Sequence, residues 1–273
     1  MKSAISVINE QVKHLYLARR LSLYELKSSN NNNYLGMAWE IFNPLIQIAI
    51  YWFVFGYGIR RREDIEVYTG EFIPFLPWML SGIIVWFFFY QSTIQGSKSI
   101  YSRLRILSKM NFPMSVIPNI VIFSQFYIHL IMIVITIITL QFFGYAINIY
   151  YIQIIYFIFA TFAFTYSLAL ITSTLSTLIR DVHMFLNATL RMLLYLSPIL
   201  WSMKDLDYWI QFIMRINPLY YIIEGYRASF LGLGWYFVDS WQYTLYFWGL
   251  TIVFFLIGSS IHVKFRRHFI DFL

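Results

Sequence analysis

Long apolar segments alternate with short polar ones along most of this chain of 273 residues. A run of about twenty predominantly apolar residues is long enough to cross the hydrocarbon core of a bilayer as one helix. The pattern therefore predicts an all-α integral membrane protein with six transmembrane helices. The predicted spans are residues 36–59, 74–94, 113–143, 151–178, 184–201 and 241–261.

The start of the chain does not follow this pattern. In residues 5–21, apolar side chains recur at spacings of three and four, and charged side chains occupy much of the remainder. This periodicity predicts one amphipathic helix that is too polar to span a membrane. We expect it to lie in the membrane interface, with packing on a partner protein as the alternative. Residues 28–33 then form a polar linker.

Residues 202–240 also differ from the predicted spans. They mix apolar runs with charged residues, Pro218 and several glycines, and contain no uncharged window of about 18 residues. The pattern favours an outer re-entrant helical hairpin before the last span, or two short helices that lie on the outer membrane face. Irregular backbone at membrane depth requires a cover of protein or water.

The composition supports a single membrane domain. Hydrophobic residues make up 59% of the chain and charged residues only 12%, about half the usual charged share of a soluble domain. We interpret residues 1–273 as one transmembrane domain, with the interfacial helix and linker in 1–33 and the six spans in 34–273. The lack of cysteine excludes disulfides and thiolate metal sites. Residues 1–27 lack the uninterrupted apolar core of a signal peptide.

The distribution of Lys and Arg predicts the orientation. With the N-terminus inside, the cytoplasmic segments hold more than twice as many Lys and Arg residues as the outer segments. This bias predicts a multi-pass protein of the cytoplasmic membrane with both termini in the cytoplasm. The triplet Arg60–Arg62 lies on the unfavoured side, beside four acidic residues. The net charge of +7 therefore indicates cytoplasmic loops and not a nucleic-acid partner.

Motifs of common catalytic sites are missing from the sequence. A nucleotide-cradling loop requires G-x-x-x-x-G-K-[ST], and the nearest string, Gly96-Ser97-Lys98-Ser99, lacks the Gly-Lys pair. The five histidines are scattered, without metal-ligand spacing on one helix face. We therefore expect no metal, no cofactor and no ATPase site in this chain. A membrane-embedded glycosyl enzyme would need convergent carboxylates, whereas the acidic residues here lie mostly in loops.

Three motifs carry a family resemblance that covers essentially the whole chain. They are Leu35-Gly36-x-x-Trp39-x-x-x-x-Pro44-Leu45, then Lys109-x-Asn111-Phe112-Pro113, and Asn217-Pro218-Leu219 followed by Glu224 and Tyr226-Arg227. The chain resembles the membrane subunits of type-2 ABC exporters for polysaccharides. Within them it is most similar to wall teichoic acid translocation permeases, on the strings Tyr34–Glu40, Ser108–Pro113, Ser197–Trp201 and Asp271–Leu273. O-antigen and capsule permeases share the first and third motifs more loosely.

The resemblance implies a homodimer bound to two ATPase chains, which hold ATP and Mg²⁺. It also implies export of undecaprenyl-diphosphate-linked wall teichoic acid through the dimer interface of a bacterial cytoplasmic membrane. The alternatives are O-antigen or capsule export, and a type-2 drug or lipid exporter. The polar segment between the second and third spans, residues 95–111, is predicted to form an amphipathic cytoplasmic helix, and its composition fits a docking element for a partner and a solvated loop equally well. In such families this helix contacts the ATPase. The implied contact residues are Lys98, Tyr101, Arg103 and Arg105, with Arg180 and Asp181 near the same surface.

A polymer longer than the bilayer is thick needs a continuous path. Aromatic rings attract the C–H faces of sugars and polyols weakly, which permits sliding. The candidate path residues are Trp39, Tyr51, Trp52, Trp78, Trp86, Tyr90, Tyr195 and Trp201, with lipid-facing interfacial aromatics as the alternative. Arg191 joins them as a possible phosphate contact, or it snorkels to the headgroups.

The predicted hairpin contains a candidate ion pair. Glu224 and Arg227 are three residues apart, so a helix places them on one face. We interpret them, with the hairpin residues Asn217 and Pro218, as structural elements of the re-entrant segment. A role in gating is the alternative.

Overall fold

The structure is a computed structural model that describes residues 2–28, 34–59, 63–104, 112–204, 206–267 and 269. It is helical almost throughout. The helices are α1 Lys2–Lys13, α2 Leu15–Ser28, α3 Trp39–Tyr51, α4 Phe75–Lys98, α5 Val116–Phe142, α6 Gln153–Leu178, α7 Asp181–Leu196, α8 Tyr208–Ile216, α9 Pro218–Leu231, α10 Tyr236–Asp239 and α11 Trp241–Phe265. Short 3₁₀ helices cover Gly36–Ala38, Tyr101–Arg103 and Ile149–Ile152, and a π-helix over Trp52–Ile59 continues α3.

Five helical segments of the described chain are long and apolar enough to cross a membrane. They are Gly36–Ile59, Phe75–Lys98, Val116–Phe142, Ile149–Leu178 and Trp241–Phe265. These segments agree with the first four and the last of the predicted spans. The fifth predicted span, 184–201, differs, because α7 has only 16 residues and ends at Leu196. Ser197 is extended there, as expected for a residue that precedes a proline, here Pro198.

Helix α4 is the centre of the bundle. Its apolar window is 78% buried inside the protein, against 11% for the first candidate span and 22% for α11. It packs against α5, α6, α7 and α9. The first span and α11 therefore leave most of their apolar surface to an environment outside this chain.

Small side chains bring α6 and α11 close together. Gly258 of α11 faces Leu170 and Ile171 of α6, where an added Cβ would come within about 3.0–3.1 Å of their side chains. Along α6, buried Thr161 and Thr174 donate their hydroxyls to carbonyls one turn earlier, at 2.7 and 2.8 Å. Such back-bonding satisfies polar groups within the helix, and small residues permit close helix contact in membranes.

The N-terminal segment forms two helices and not the single helix predicted for residues 5–21. The break is at His14, whose Nδ1 lies 2.9 Å from the Glu10 carbonyl oxygen. Helix α1 packs against α11, and α2 packs against α5. Their buried positions are mostly small (Ala4, Val7, Ala18, Ser22 and Leu26). The predicted apolar face points away from the bundle, with Ile5, Ile8, Val12, Leu15 and Tyr16 all exposed.

A polar cluster attaches α1 to the bundle. Glu10 accepts hydrogen bonds from Ser115 Oγ and from Arg266 Nη1, both at 2.5 Å. Gln11 donates to the Ser115 carbonyl at 3.0 Å and accepts from Asn119 Nδ2 at 2.7 Å. The cluster therefore joins α1 to the start of α5 and to the residue after α11.

The stability contributed by Glu10 is expected to depend on pH. Burial raises the pKa of Glu10, but the hydrogen bonds from Ser115 and the charge of Arg266 outweigh burial, so its pKa lies below the usual value. A lowered carboxyl pKa stabilises the fold above the unfolded pKa, and this stability is lost as pH falls. Thermal unfolding should show Glu10→Gln less stable than wild type by about 1 kcal/mol at pH 7, after discounting for partial exposure. The gap should close below about pH 4; a constant gap would contradict the prediction.

Residues 202–240 form a cap at the end of the bundle opposite α1, and one of its helices is a core element. Asn217 separates α8 from α9; its side chain accepts from Leu219 N at 3.1 Å and donates to Ser197 Oγ at 3.0 Å. Helix α8 is largely exposed, whereas α9 is buried between α4 and α6. Gly232 ends α9 in the left-handed region, with φ at 76°. This region therefore contains the short helices α8, α9 and α10, and protein covers α9.

A small β-hairpin stands beside this cap. Strands β1 (Ile65–Glu66) and β2 (Phe72–Ile73) pair antiparallel, with Ile65 opposite Ile73. The Tyr68 hydroxyl donates to the Leu233 carbonyl at 3.0 Å, which ties the hairpin turn to the chain after α9. These strands are not predicted from the sequence, because each is only two residues long.

Candidate functional site: a polar cavity among apolar helices

A cavity of about 360 Å³ lies between α3, α4, α5 and α7. Its walls combine aromatic rings with amide and charged groups. Five of the nine predicted path residues line it: Tyr51, Trp86, Tyr90, Arg191 and Tyr195. The structure therefore brings together residues that are up to 144 positions apart in the chain (from 51 to 195).

The other four predicted path residues lie elsewhere. Trp78 borders a second pocket at the opposite end of α4 from Lys98. Trp39 is 37% exposed outside the cavity, and Trp52 packs beside Gly56 in the π-helix. Trp201 donates its indole N–H to the Tyr195 carbonyl at 2.9 Å. Aromatic residues are so common in this sequence that residue type alone does not distinguish these four positions from the aromatic positions that line the cavity.

The cavity is also lined by six polar side chains that are not among the predicted path residues. They are Glu40, Asn43, Gln47, Gln91, Gln125 and His129. Glu40, Asn43 and Gln47 follow one another at spacings of three and four in α3, so they lie on one helix face. A polar row along an otherwise apolar span is the sequence signal that could have revealed the cavity.

Arg191 is the only Arg or Lys among the residues that line this cavity. Its side chain is exposed, and its Nε donates to the Asn187 carbonyl one turn earlier at 3.4 Å. Tyr90 donates to the Asn187 side chain at 3.1 Å, which connects α4 with α7 beside the cavity. A guanidinium in such a place has donors left for a phosphate or carboxylate. The cavity can therefore offer hydrogen-bonding amides, ring faces, one cation and the Glu40 carboxylate to a single ligand.

His129 connects the cavity to the buried helix α9. Its Nε2 forms a 2.8 Å hydrogen bond with the Tyr226 hydroxyl. Its ring stacks on Phe88 at a centroid distance of 4.8 Å. Both His129 and Tyr226 are buried, so this hydrogen bond joins the cavity wall directly to α9.

The predicted ion pair of Glu224 and Arg227 is present. Arg227 Nη1 donates to Glu224 Oε1 at 2.5 Å, and the Arg227 side chain is 1% exposed. Its guanidinium carbon lies 3.5 Å from the centre of the Trp78 ring. Its remaining donors reach the carbonyl oxygens of Trp78 at 3.4 Å and Ile199 at 3.2 Å. Arg227 therefore holds α9, α4 and the chain after α7 together.

The residues predicted to contact the ATPase lie near one another, at the same end of the bundle as α2. Ser97 Oγ and His183 Nδ1 are 2.7 Å apart, and the rings of Tyr101 and His183 are 6.2 Å apart. Arg180 and Asp181 are exposed beside them, and Lys98 is half-buried. Arg105, Lys109 and Asn111 lie outside the described residues.

The structure adds two details to this predicted surface. Residues 95–98 are the last turn of α4, and Tyr101–Arg103 is one 3₁₀ turn; residues 105–111 of the predicted amphipathic helix lie outside the described residues. Arg103 forms an ion pair with Glu25 of α2 and donates to the Ser99 carbonyl at 3.0 Å. Both partners of the ion pair are partly exposed. Arg103 therefore connects α2 to this surface as well as facing solvent.

Comparison with known proteins identifies the family. Residues 17–231 match the family model described as ABC-2 type transporter. The chain is 27% identical over 252 residues to an O-antigen export system permease protein RfbA of Klebsiella pneumoniae. The aligned residues cover 91% of this chain and 92% of that protein. It is 24% identical over 233 residues to the protein of the same name in Myxococcus xanthus, covering 83% of this chain and 84% of that protein. The chain belongs to the ABC-2 type transporter family of membrane subunits.

Proposed function

We propose that this chain is the permease subunit of an ABC exporter that moves undecaprenyl-diphosphate-linked wall teichoic acid across the bacterial cytoplasmic membrane. The cavity carries the proposal, because aromatic rings, amides and one arginine line a space among membrane-spanning helices. Amides hydrogen-bond to hydroxyls, ring faces contact C–H groups, and a guanidinium pairs with phosphate. A polyol-phosphate chain presents all three of these groups to its path.

A separate ATPase supplies the work in this proposal. The sequence lacks a nucleotide-cradling loop, so ATP and Mg²⁺ bind to the partner. Two copies of the permease and two ATPase chains form the complex, with six spans per permease, a re-entrant hairpin and both termini in the cytoplasm. Helix α7, at 16 residues, is the fifth of the six spans in this scheme, and its start at the predicted ATPase surface supports transmission of motion to the cavity.

O-antigen export is the second candidate. The observation that favours it is the similarity of this chain to O-antigen export permeases. The motif strings in residues 34–40, 108–113 and 197–201 favour teichoic acid. No described residue of the cavity separates the two substrates by itself, because both are long polymers on the same kind of carrier lipid.

Depletion of this protein in its host tests which substrate the exporter moves. The undecaprenyl-linked material trapped inside the cell would be isolated and assayed for phosphate, polyol and sugar. The proposal expects a polymer rich in polyol phosphate. A phosphate-poor glycan would replace it with O-antigen or capsule export, and the absence of any trapped polymer would indicate a drug or lipid exporter.

Arg191→Gln is expected to reduce export by about tenfold without unfolding the protein, because Arg191 is exposed and supplies the cation of the cavity. The measurement is polymer delivered to the cell surface, normalised to folded permease in the membrane. Arg267→Gln, which removes an exposed cation outside the cavity, is the matched control. Wild-type export by Arg191→Gln would remove Arg191 from the proposed path.

Arg103→Glu is expected to reduce co-purification of the ATPase severalfold. The variant also breaks the ion pair with Glu25, a partly exposed contact of about 0.2–1 kcal/mol. The double variant Glu25→Arg, Arg103→Glu restores that pair with the charges exchanged. If Arg103 contacts the ATPase directly, the double variant still fails to bind it. Recovery of binding would show that Arg103 acts only by holding α2 in place.

A further inference from the structure

A second pocket of about 270 Å³ lies at the end of the bundle opposite α1, and the proposed export path does not account for it. One wall is the β-hairpin, with Glu66, Tyr68 and Gly70, and another is the chain after α7. The remaining walls come from α4, α8 and α9. Five charged side chains line this hairpin-end pocket: Glu66, Lys204, Arg215, Glu224 and Arg227.

Among the described residues of this pocket, one cation has no carboxylate partner. Glu66 pairs with Lys204, and Glu224 pairs with Arg227. Arg215 forms no ion pair with a carboxylate among the residues that the structure describes, and it hydrogen-bonds to the Tyr243 hydroxyl. Its Nε is buried and has no hydrogen-bond partner in the described part of the chain. Both acids among the described residues of the pocket, Glu66 and Glu224, thus already have a cation partner, and the charge without a partner there is positive.

The surrounding groups suit a phosphate. Gln211 and Tyr220 place an amide and a hydroxyl in the same pocket as Arg215 and Lys204. Arginine is the preferred residue for phosphate because its donors match two oxygens at once. Lys204 is half exposed in its pair with Glu66, and exposed ion pairs of this kind are weak. A phosphate can therefore replace the Glu66 carboxylate as the partner of Lys204.

We propose that the hairpin-end pocket is a second binding site, which takes a phosphate diester between Arg215 and Lys204. The bound diester competes with Glu66 of the β-hairpin for Lys204. Binding therefore weakens the ion pair that connects the β-hairpin with the chain after α7. The assignment of that diester to a polyol-phosphate polymer rests on the proposed export function, whereas the site rests on the pocket itself.

The test uses the full chain in dodecyl maltoside micelles, which contain no phosphate, with glycerophosphoglycerol as a water-soluble phosphodiester probe and calorimetry as the readout. Wild type is expected to bind the probe saturably, and more weakly as salt rises. Arg215→Gln should weaken binding about tenfold. Glu66→Gln should strengthen binding severalfold, because Lys204 loses its competing carboxylate. Arg267→Gln, at the other end of the bundle, should match wild type.

The opposite signs of the Arg215 and Glu66 variants separate binding from folding, because a structural defect would weaken binding in both. No saturable binding to wild type, unchanged binding to Arg215→Gln, or weaker binding to Glu66→Gln would each overturn the proposal. Nanodiscs of phosphatidylglycerol identify the source of the phosphate. Loss of probe binding there would assign the site to a lipid headgroup and overturn the polymer as its ligand. The assay requires no export, so it can fail independently of the depletion experiment.

Discussion

Arg227→Met is expected to lower the free energy of unfolding by about 3–5 kcal/mol, the range for removing one partner of a buried ion pair. Arg227 is 1% exposed and contacts Glu224, the Trp78 ring and two backbone carbonyls. Methionine fills much of the volume but donates no hydrogen bonds. Glu224, at 13% exposure, would be left without its cation. Unfolding of the detergent-solubilised protein by SDS titration in mixed micelles measures the loss.

Two further variants distinguish charge from packing. Lys204→Met breaks the other ion pair of the same pocket, where the side chains are 50% and 33% exposed, and should cost less than about 1 kcal/mol. The double variant Glu224→Gln, Arg227→Met should be less destabilised than the sum of its single variants, because it leaves no unpaired charge. Equal losses for Arg227→Met and Lys204→Met would show that burial of Arg227 adds nothing to its role.

The sequence predicts the spans well because a span depends on local composition. A bilayer solvates twenty apolar residues wherever they occur, so 36–59 and 241–261 are evident without knowledge of their neighbours. Helix α7 differs because Pro198 ends it early. The division between α1 and α2 at His14 is not evident from periodicity, because the apolar spacing of three and four continues across it.

The cavity is harder to predict because it depends on which helices become neighbours. Tyr51 and Tyr195 become candidates only through their aromatic character, which Trp52 and Trp201 share outside the cavity. The pair of Glu224 and Arg227 is local, three residues apart, and the sequence predicts it. The contact of Arg227 with Trp78 is not predicted, because it joins residues 149 positions apart in the chain.

Gly225→Ala is expected to destabilise the protein by at least about 3 kcal/mol, at or above the upper end of the usual range for overpacked cores. Gly225 lies in α9 where it crosses α6, and an added Cβ would overlap the Phe157 ring. Phe157 has no room to move, because it is fully buried and the centre of its ring lies 5.0 Å from the ring centre of Tyr156 and 5.5 Å from that of Tyr221. The helix backbone of α9 would have to move instead.

Gly249→Ala is the matched control, because Gly249 lies in α11 and an added Cβ there meets no atom within 4 Å. Replacing an uncrowded helical glycine with alanine should stabilise the helix by about 0.5–1 kcal/mol. Thermal unfolding of the two variants should therefore shift in opposite directions from wild type. If Gly225→Ala unfolds like wild type, α9 does not cross α6 at Gly225, and the buried position of α9 would be wrong. Recovery by Phe157→Leu in the Gly225→Ala background would locate the clash at that ring, because leucine vacates the space that the Cβ needs.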